Sequence, residues 1–199
     1  KANTYKNFSI YILIFPLSEP NSLSMEKSYL NGKFIISPPG VEDELFSKAV
    51  ILICSHDESG AMGVIINKAI EERKLDEIIS KLNISFDSYS HGLRVMMGGP
   101  LDGERGFLLH SPEYHNQFTG EVKNLAGFTT SSSVLKDISS GHGPHKSLLA
   151  LGYAGWSQGQ LEQEIKAGVW LVCDGDDKIL FDVDADKKWD AAIAKIKID

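Results

Sequence analysis

An α+β fold is predicted for this chain by three observations. Short β-branched apolar runs come in pairs joined by polar or glycine-containing turns, the pattern of antiparallel hairpins. Apolar residues at helical spacing fall in separate segments between those pairs, so the strict strand–helix alternation of a parallel α/β sheet is missing. The 199 residues carry 42% apolar side chains, and a chain of this size buries roughly 70% of its unfolded surface, which suits one domain with one sizeable core.

Residues 1–24 stand apart. An apolar patch lies between polar ends, Pro16 and Pro20 break it, and Met25 follows at once. Two readings stay open: an N-terminal extension ahead of a start at Met25, or an arm packing Phe8, Ile12 and Phe15 onto the core, since chain ends are ordered only when tied down. The domain proper is assigned to 25–199. Phe34, Ile35 and Ile36 make the first strand, and residues 49–54 and 62–66 the next two, as a hairpin around Ser55-His56-Asp57-Glu58-Ser59-Gly60. Leu75, Ile78, Ile79 and Leu82 repeat at helical spacing and predict a helix over 71–82.

Strands return at 93–97 and 106–110, connected through Gly98-Gly99-Pro100 and Asp102-Gly103. Val134, Leu135 and Ile138 predict a second helix, opened by a cap among Ser131, Ser132 and Ser133 and stopped at Gly141-His142-Gly143-Pro144. Residues 147–153 form another buried strand. Ser157-Gln158-Gly159-Gln160 has capping-box spacing, so the Ser157 hydroxyl is expected to accept the Gln160 backbone N–H, with Leu161 and Ile165 on one helix face and Gly168 at its end. Residues 169–173 and 179–183 flank the acidic turn Asp174-Gly175-Asp176-Asp177 and predict a last hairpin, followed by an amphipathic helix carrying Trp189, Ala192, Ile193 and Ile196.

Charge and cysteine usage narrow the function classes. Twenty Lys and Arg against 27 Asp and Glu leave a net charge of −7, few cations to neutralise phosphates, so direct nucleic-acid binding is not expected. Cys54 and Cys173 are far apart and each ends an apolar run; they are read as reduced, buried thiols rather than a disulfide framework. The apolar stretch 10–16 is far short of the roughly 20 residues of a membrane span, and Ser18-Glu19-Pro20 follows it where a leader would need a cleavage site. The expected location is the cytoplasm, with no membrane partner.

Four segments carry polar groups with chemical potential. His56 stands beside Asp57 and Glu58 at the hairpin tip; a solvated turn is the favoured reading, a proton relay or ligand site the other. His142 and His145 have the H-x-x-H spacing, but Gly143-Pro144 between them forbids a helix and no third ligand is near, so no metal is expected. Arg105 and His110 bound one strand and could grip an anion from its two ends, or His110 could cap a strand through a backbone bond. In Gly152-Tyr153-Ala154-Gly155-Trp156-Ser157, strand, glycine turn and helix start arrive together. Trp156 is read as core, while Tyr153 and Gln160 stay open as ligand contacts. There is no P-loop, G-x-S-x-G, H-E-x-x-H or C-x-x-C pattern, and no cofactor is implied.

In this order, Gly32-Lys33-Phe34-Ile35-Ile36-Ser37-Pro38, Cys54-Ser55-His56-Asp57, Gly60-Ala61-Met62-Gly63, Gly98-Gly99-Pro100, residues 105–110, and Gly152-Tyr153-Ala154-Gly155-Trp156 with Gly159-Gln160-Leu161-Glu162 resemble the YqgE/AlgH family of bacterial proteins. The resemblance spans about residues 30–190. It implies a single α+β domain whose mixed sheet is partly curled into a small barrel surrounded by helices. It implies no reaction, no catalytic residues and no cofactor; the family name carries a proposed role in transcriptional regulation. Ala69 departs from the usual proline, and Gly168 replaces a frequent asparagine, a benign change at a helix C-cap. The expected function is a non-enzymatic regulatory or interaction protein, with an unidentified protein partner or a small anion as its ligand. The alternative is an enzyme or anion-binding protein using the His110, Arg105 and Tyr153 face. His56, Arg105, His110, Tyr153 and Gln160 are the candidate ligand-binding residues.

Overall fold

The computed structural model describes residues 29–70, 93–117 and 119–196. The helix expected over 71–82 and the segment 1–24 lie outside the described residues. The strands are β1 (Lys33–Ile36), β2 (Val50–Asp57), β3 (Gly60–Ile65), β4 (Arg94–Met97), β5 (Leu101–His110), β6 (Gly120–Val122), β7 (Ala126–Thr129), β8 (Ser147–Ser157) and β9 (Leu171–Asp174). They form one sheet in the order β6-β7-β5-β8-β3-β2-β1-β9, with β4 added alongside β8 as the parallel pair among antiparallel ones. Among the described residues three short α-helices accompany them: α1 (Ser133–Ser139), α2 (Gln160–Lys166) and α3 (Lys188–Ile196).

Side-chain alternation builds two layers. Phe34 and Ile36 of β1 and Phe107 and Leu109 of β5 face one cluster, while Ile35 faces a second and Leu108 a third. Val122 and Ala126, from one end of the strand order, share the inner cluster with Phe34 and Cys173 from the other end. The sheet therefore curls into a half-barrel around that cluster. Ile179, Leu180, Phe181, Trp189 and Ala192 plug it, and the Trp189 indole N–H donates to the Ser37 carbonyl at 2.9 Å. Outside, α2 covers Ile53, Ala61 and Trp156 through Leu161, and α1 covers Leu108 and Leu149 through Val134.

Two bulges decide which way the polar residues point. In β2 the register against β3 shifts between Ile53 and Ser55. Uninterrupted alternation would give His56 the inner parity of Leu52; the extra residue turns it instead to the outer side, opposite Ala61. In β8 the bulge is Gly152, at φ +72°. Leu151 belongs to an outer cluster while Tyr153, two residues on, packs on the inner one. This break lets one 11-residue strand pair with β4 and β5 through its first half and with β3 through its second.

The structure corrects several local expectations. The β2–β3 turn is only Glu58 and Ser59, tied by Asp57 Oδ1 accepting the Ser59 N–H at 2.7 Å, so His56 lies within a strand. Residues 178–182 are not a strand: they form a π-helical turn, Lys178–Asp182, begun by Asp176 Oδ1 accepting the Ile179 N–H at 3.0 Å. Its three consecutive apolar residues are all buried, which a two-faced strand with a wet side would not allow. The β6–β7 hairpin was not anticipated, although Lys123 and Asn124 both take positive φ, as a type I′ turn requires. Ser132 at the α1 N-cap makes no side-chain cap bond, while the Ser131 hydroxyl accepts the Ser133 N–H at 3.3 Å. Cys54 and Cys173 are free thiols on strands separated by β1, about 9.6 Å apart at two strand spacings and beyond disulfide reach. Burial holds the Cys54 thiol above its ordinary value.

Candidate functional site

The five sequence-predicted residues fall into three places. His56 and Gln160 meet the start of α2 on the outer side, Gln160 as its first residue and His56 through Glu162. His56 is 4% exposed; its Nδ1 accepts the Leu30 N–H at 3.1 Å, which puts the proton on Nε2 and lets it donate to Glu162 Oε1 at 3.2 Å. The Tyr29 ring stands edge-on against the imidazole at 5.2 Å. Both ring nitrogens are thus engaged in anchoring the approach to β1 and the start of α2.

Gln160 belongs to a second network. Its Oε1 accepts the Ser157 N–H at 3.0 Å and the Ser157 hydroxyl at 3.1 Å, and its Nε2 donates to Glu164 Oε1 at 2.9 Å. This is the returning half of a capping box. The forward half is missing, because Ser157 ends β8 and the helix N-cap is Gly159 at φ +72° with no side-chain cap bond. Glu164, which the sequence reading passed over, is the hub: its Oε2 accepts both the Trp156 and the Trp170 indole N–H, each at 2.8 Å. Its spacing from Gln160, four residues on one helix face, was the available signal. Gly168 at φ +73° closes α2, with Gly168 N–H donating to Ile165 O and Val169 N–H to Glu164 O, both at 2.9 Å, a Schellman motif. Ser157→Ala is accordingly expected to cost less than about 0.5 kcal/mol and Gln160→Ala about 1 kcal/mol in urea unfolding, the reverse of the order that an N-capping serine would give.

His110 is alone and sealed. It is 0% exposed; its Nδ1–H donates to the Ser111 carbonyl at 3.0 Å, and Nε2 has no hydrogen-bond partner among the described residues. The Tyr114 ring stands perpendicular to it at 5.2 Å. Burial pushes its imidazole below the ordinary value, outweighing the opposing Ser111 bond and Glu113, so the ring is held neutral. His110 pairs with Ser147 at the first end of β8, while Gln160 follows the other end, up to about 33 Å of strand away.

Arg105 and Tyr153 share one neighbour, the Phe107 ring. The Arg105 guanidinium lies 5.4 Å over the Phe107 ring, and Tyr153 stands edge-on to the same ring at 5.7 Å. Arg105 keeps 55% of its side chain exposed, with Asp102 Oδ2 at 3.9 Å. Residues 102–105 are exposed throughout, and Met97, 41% exposed, lies across from Gly106 on the other side of Leu151. A separate shallow cleft of about 80 Å³ lies between β5 and α1, floored by Leu108 and Val134 and rimmed by Thr130, Ser131 and Ser132. That is well below the roughly 300 Å³ of an ordinary small-molecule site. His142 and His145 are exposed; His145 pairs with Glu113 at 3.5 Å and His142 Nδ1 lies 3.2 Å from the Ser140 hydroxyl. Among the described residues no three His, Cys, Asp or Glu side chains converge at metal-ligand spacing.

A family described as AlgH-like matches residues 34–199. The chain belongs to the AlgH-like family. Among AlgH-like relatives, a UPF0301 protein of Jannaschia sp. (strain CCS1) is 42% identical over 172 residues, covering 85% of this chain and 90% of the relative. One from Yersinia pseudotuberculosis is 41% identical over 173 residues, covering 85% and 92%. The solution structure of the AlgH protein from Pseudomonas aeruginosa is 35% identical, with a TM-score of 0.72 over 89% of this chain and 94% of that one. A protein of Corynebacterium diphtheriae shares the fold at 20% identity, with a TM-score of 0.63 and 86% of each chain covered. The AlgH-like fold, a curled sheet forming a half-barrel with a few helices, is the one described above, and it carries no established molecular activity. Among the described residues no helix is long and apolar enough to cross a membrane.

Proposed function

We propose that this AlgH-like protein is a non-enzymatic regulatory or interaction protein that meets an anionic group of its partner at Arg105. The observation that carries this reading is the half-exposed guanidinium held over Phe107, a ring that Tyr153 braces edge-on. Ring contacts restrict the arginine without consuming its donors, and Asp102 at 3.9 Å is too far for a direct hydrogen bond, so among the described residues the fork stays free for a carboxylate or phosphate. The exposed stretch 102–105 extends the surface alongside it. A regulatory role in the cytoplasm would reach DNA through that partner, because the net charge of −7 supplies little phosphate affinity. An acid–base enzyme using His110 with Arg105 finds less support, since His110 is sealed.

A photo-crosslinking residue at Glu104, in the full chain inside cells, is the test. The expected result is a discrete crosslinked partner that is lost in Arg105→Ala at unchanged melting temperature; retention of the same crosslink in Arg105→Ala overturns the reading. The free guanidinium also favours a small anion as ligand. Inorganic phosphate should then raise the melting temperature of the wild type and leave Arg105→Ala unmoved, whereas equal shifts in both proteins mean a general salt effect and remove Arg105 from an anion site.

A further inference from the structure

Lys188, the first residue of α3, is fully buried with no carboxylate partner among the described residues, a rare position for a lysine. Its Nζ donates to the Leu180 carbonyl at 2.6 Å, and the Arg94 guanidinium of β4 donates to the next carbonyl, that of Phe181. Two basic side chains therefore hold successive carbonyls of the π-helical turn Lys178–Asp182, the turn that plugs the half-barrel ahead of α3.

The carboxylates around them are committed elsewhere. Asp177 and Asp182 both bind Lys146 at 2.9 Å, Asp176 binds Lys195 at 3.1 Å, and Asp184 binds Lys187 at 2.6 Å and also feels the charge of Arg94. Asp186 acts on Lys187, and Asp190 is exposed on α3. Lys178 is exposed as well and adds positive charge to the same turn. The charge felt by Lys188 is that of Arg94, of like sign.

We propose that Lys188, Arg94 and the π-helical turn form a pH-sensitive latch for α3, closed while the Lys188 amine is neutral and weakened when it takes a proton. A neutral amine satisfies Leu180 O at little cost in a dry site; an ammonium there is desolvated and sits beside the guanidinium. Burial first, and Arg94 second, lower the Lys188 amine to about 7, from an ordinary 10.5 when it is released to water. Because the closed state's value is the depressed one, opening becomes easier as pH falls through the window between those values and levels off below about 7.

Hydrogen exchange of the full chain, followed in peptides covering 178–196 and normalised to unstructured rates, tests the latch between pH 8.5 and 6. The expected opening equilibrium rises roughly fifteenfold from pH 8.5 to 7 and less than about twofold from 7 to 6, while β2 and β3 peptides do not follow it. Lys188→Met should abolish that dependence, and Arg94→Met, which removes the like charge, should move the levelling point to higher pH. A pH-independent wild type, or the same dependence persisting in Lys188→Met, overturns the proposal. Should Lys188→Met not fold, an unmoved levelling point in Arg94→Met overturns it equally.

Discussion

Alanine at Gly152 is expected to cost more than about 3 kcal/mol of unfolding free energy, and alanine at Gly99 at least as much. Gly152 sits at φ +72°, where an ordinary residue loses about 1–2 kcal/mol. A Cβ there would also stand 2.7 Å from both the Gly99 and the Leu101 carbonyl oxygens, backbone atoms that no rotamer change can move. Gly99 presses from the other side: its Cβ would run into the Tyr153 carbonyl and lie 2.5 Å from Ala154 N. The two glycines mark the crossing of the β4–β5 connection over the break in β8, so a shift that relieves either clash must pull β4 or β5 away from β8. Gly168→Ala is the comparison. It shares φ +73° with open space around it and should lose only the conformational part, about 1–2 kcal/mol. Urea unfolding of the three variants separates the effects, and a Gly152→Ala loss no greater than that of Gly168→Ala would mean that the crossing relaxes.

Glu164→Ala should be the most damaging change on α2, at about 2–4 kcal/mol. One carboxylate accepts from Trp156, Trp170 and Gln160, and truncation leaves both indole N–H groups on largely buried rings without an acceptor. Each orphaned buried donor costs about 1–3 kcal/mol, of which a small part returns if water enters the gap. Glu164→Gln keeps one oxygen for the two indoles and should lose less than half as much. Tryptophan emission offers an independent readout: it should shift to longer wavelength in Glu164→Ala and stay near the wild type in Glu164→Gln. A Glu164→Ala variant within about 1 kcal/mol of the wild type would show that the network adds little to stability.

The strands and helices that were legible in the sequence are those whose signal is local. Ile35, Ile51 and Ile53 lie among β-branched neighbours, Leu161 and Ile165 repeat at helical spacing before a glycine stop, and Trp189 with Ala192 makes one helix face. The α+β class and the family followed from those patterns and the order of their motifs. Side-chain direction did not follow, because a single inserted residue reverses the period-two alternation of a strand and leaves its composition unchanged. The bulge after Ile53 turned a histidine expected in a solvated loop into a buried partner of Leu30 and Glu162, and the bulge at Gly152 brought Tyr153 to Phe107, the ring under Arg105. Residues 178–182 carry the apolar content of a strand, yet Arg94, 87 residues before Phe181, and Lys188 of the following helix hold their carbonyls in a π-helical turn. By itself the sequence determined the fold class, the family and most of the elements, since these rest on patterns within one element's length. Only the tertiary structure decided which polar groups are spent on anchoring and which, like Arg105, remain free, because hydrogen bonds and burial are completed by residues that the chain brings together from far apart.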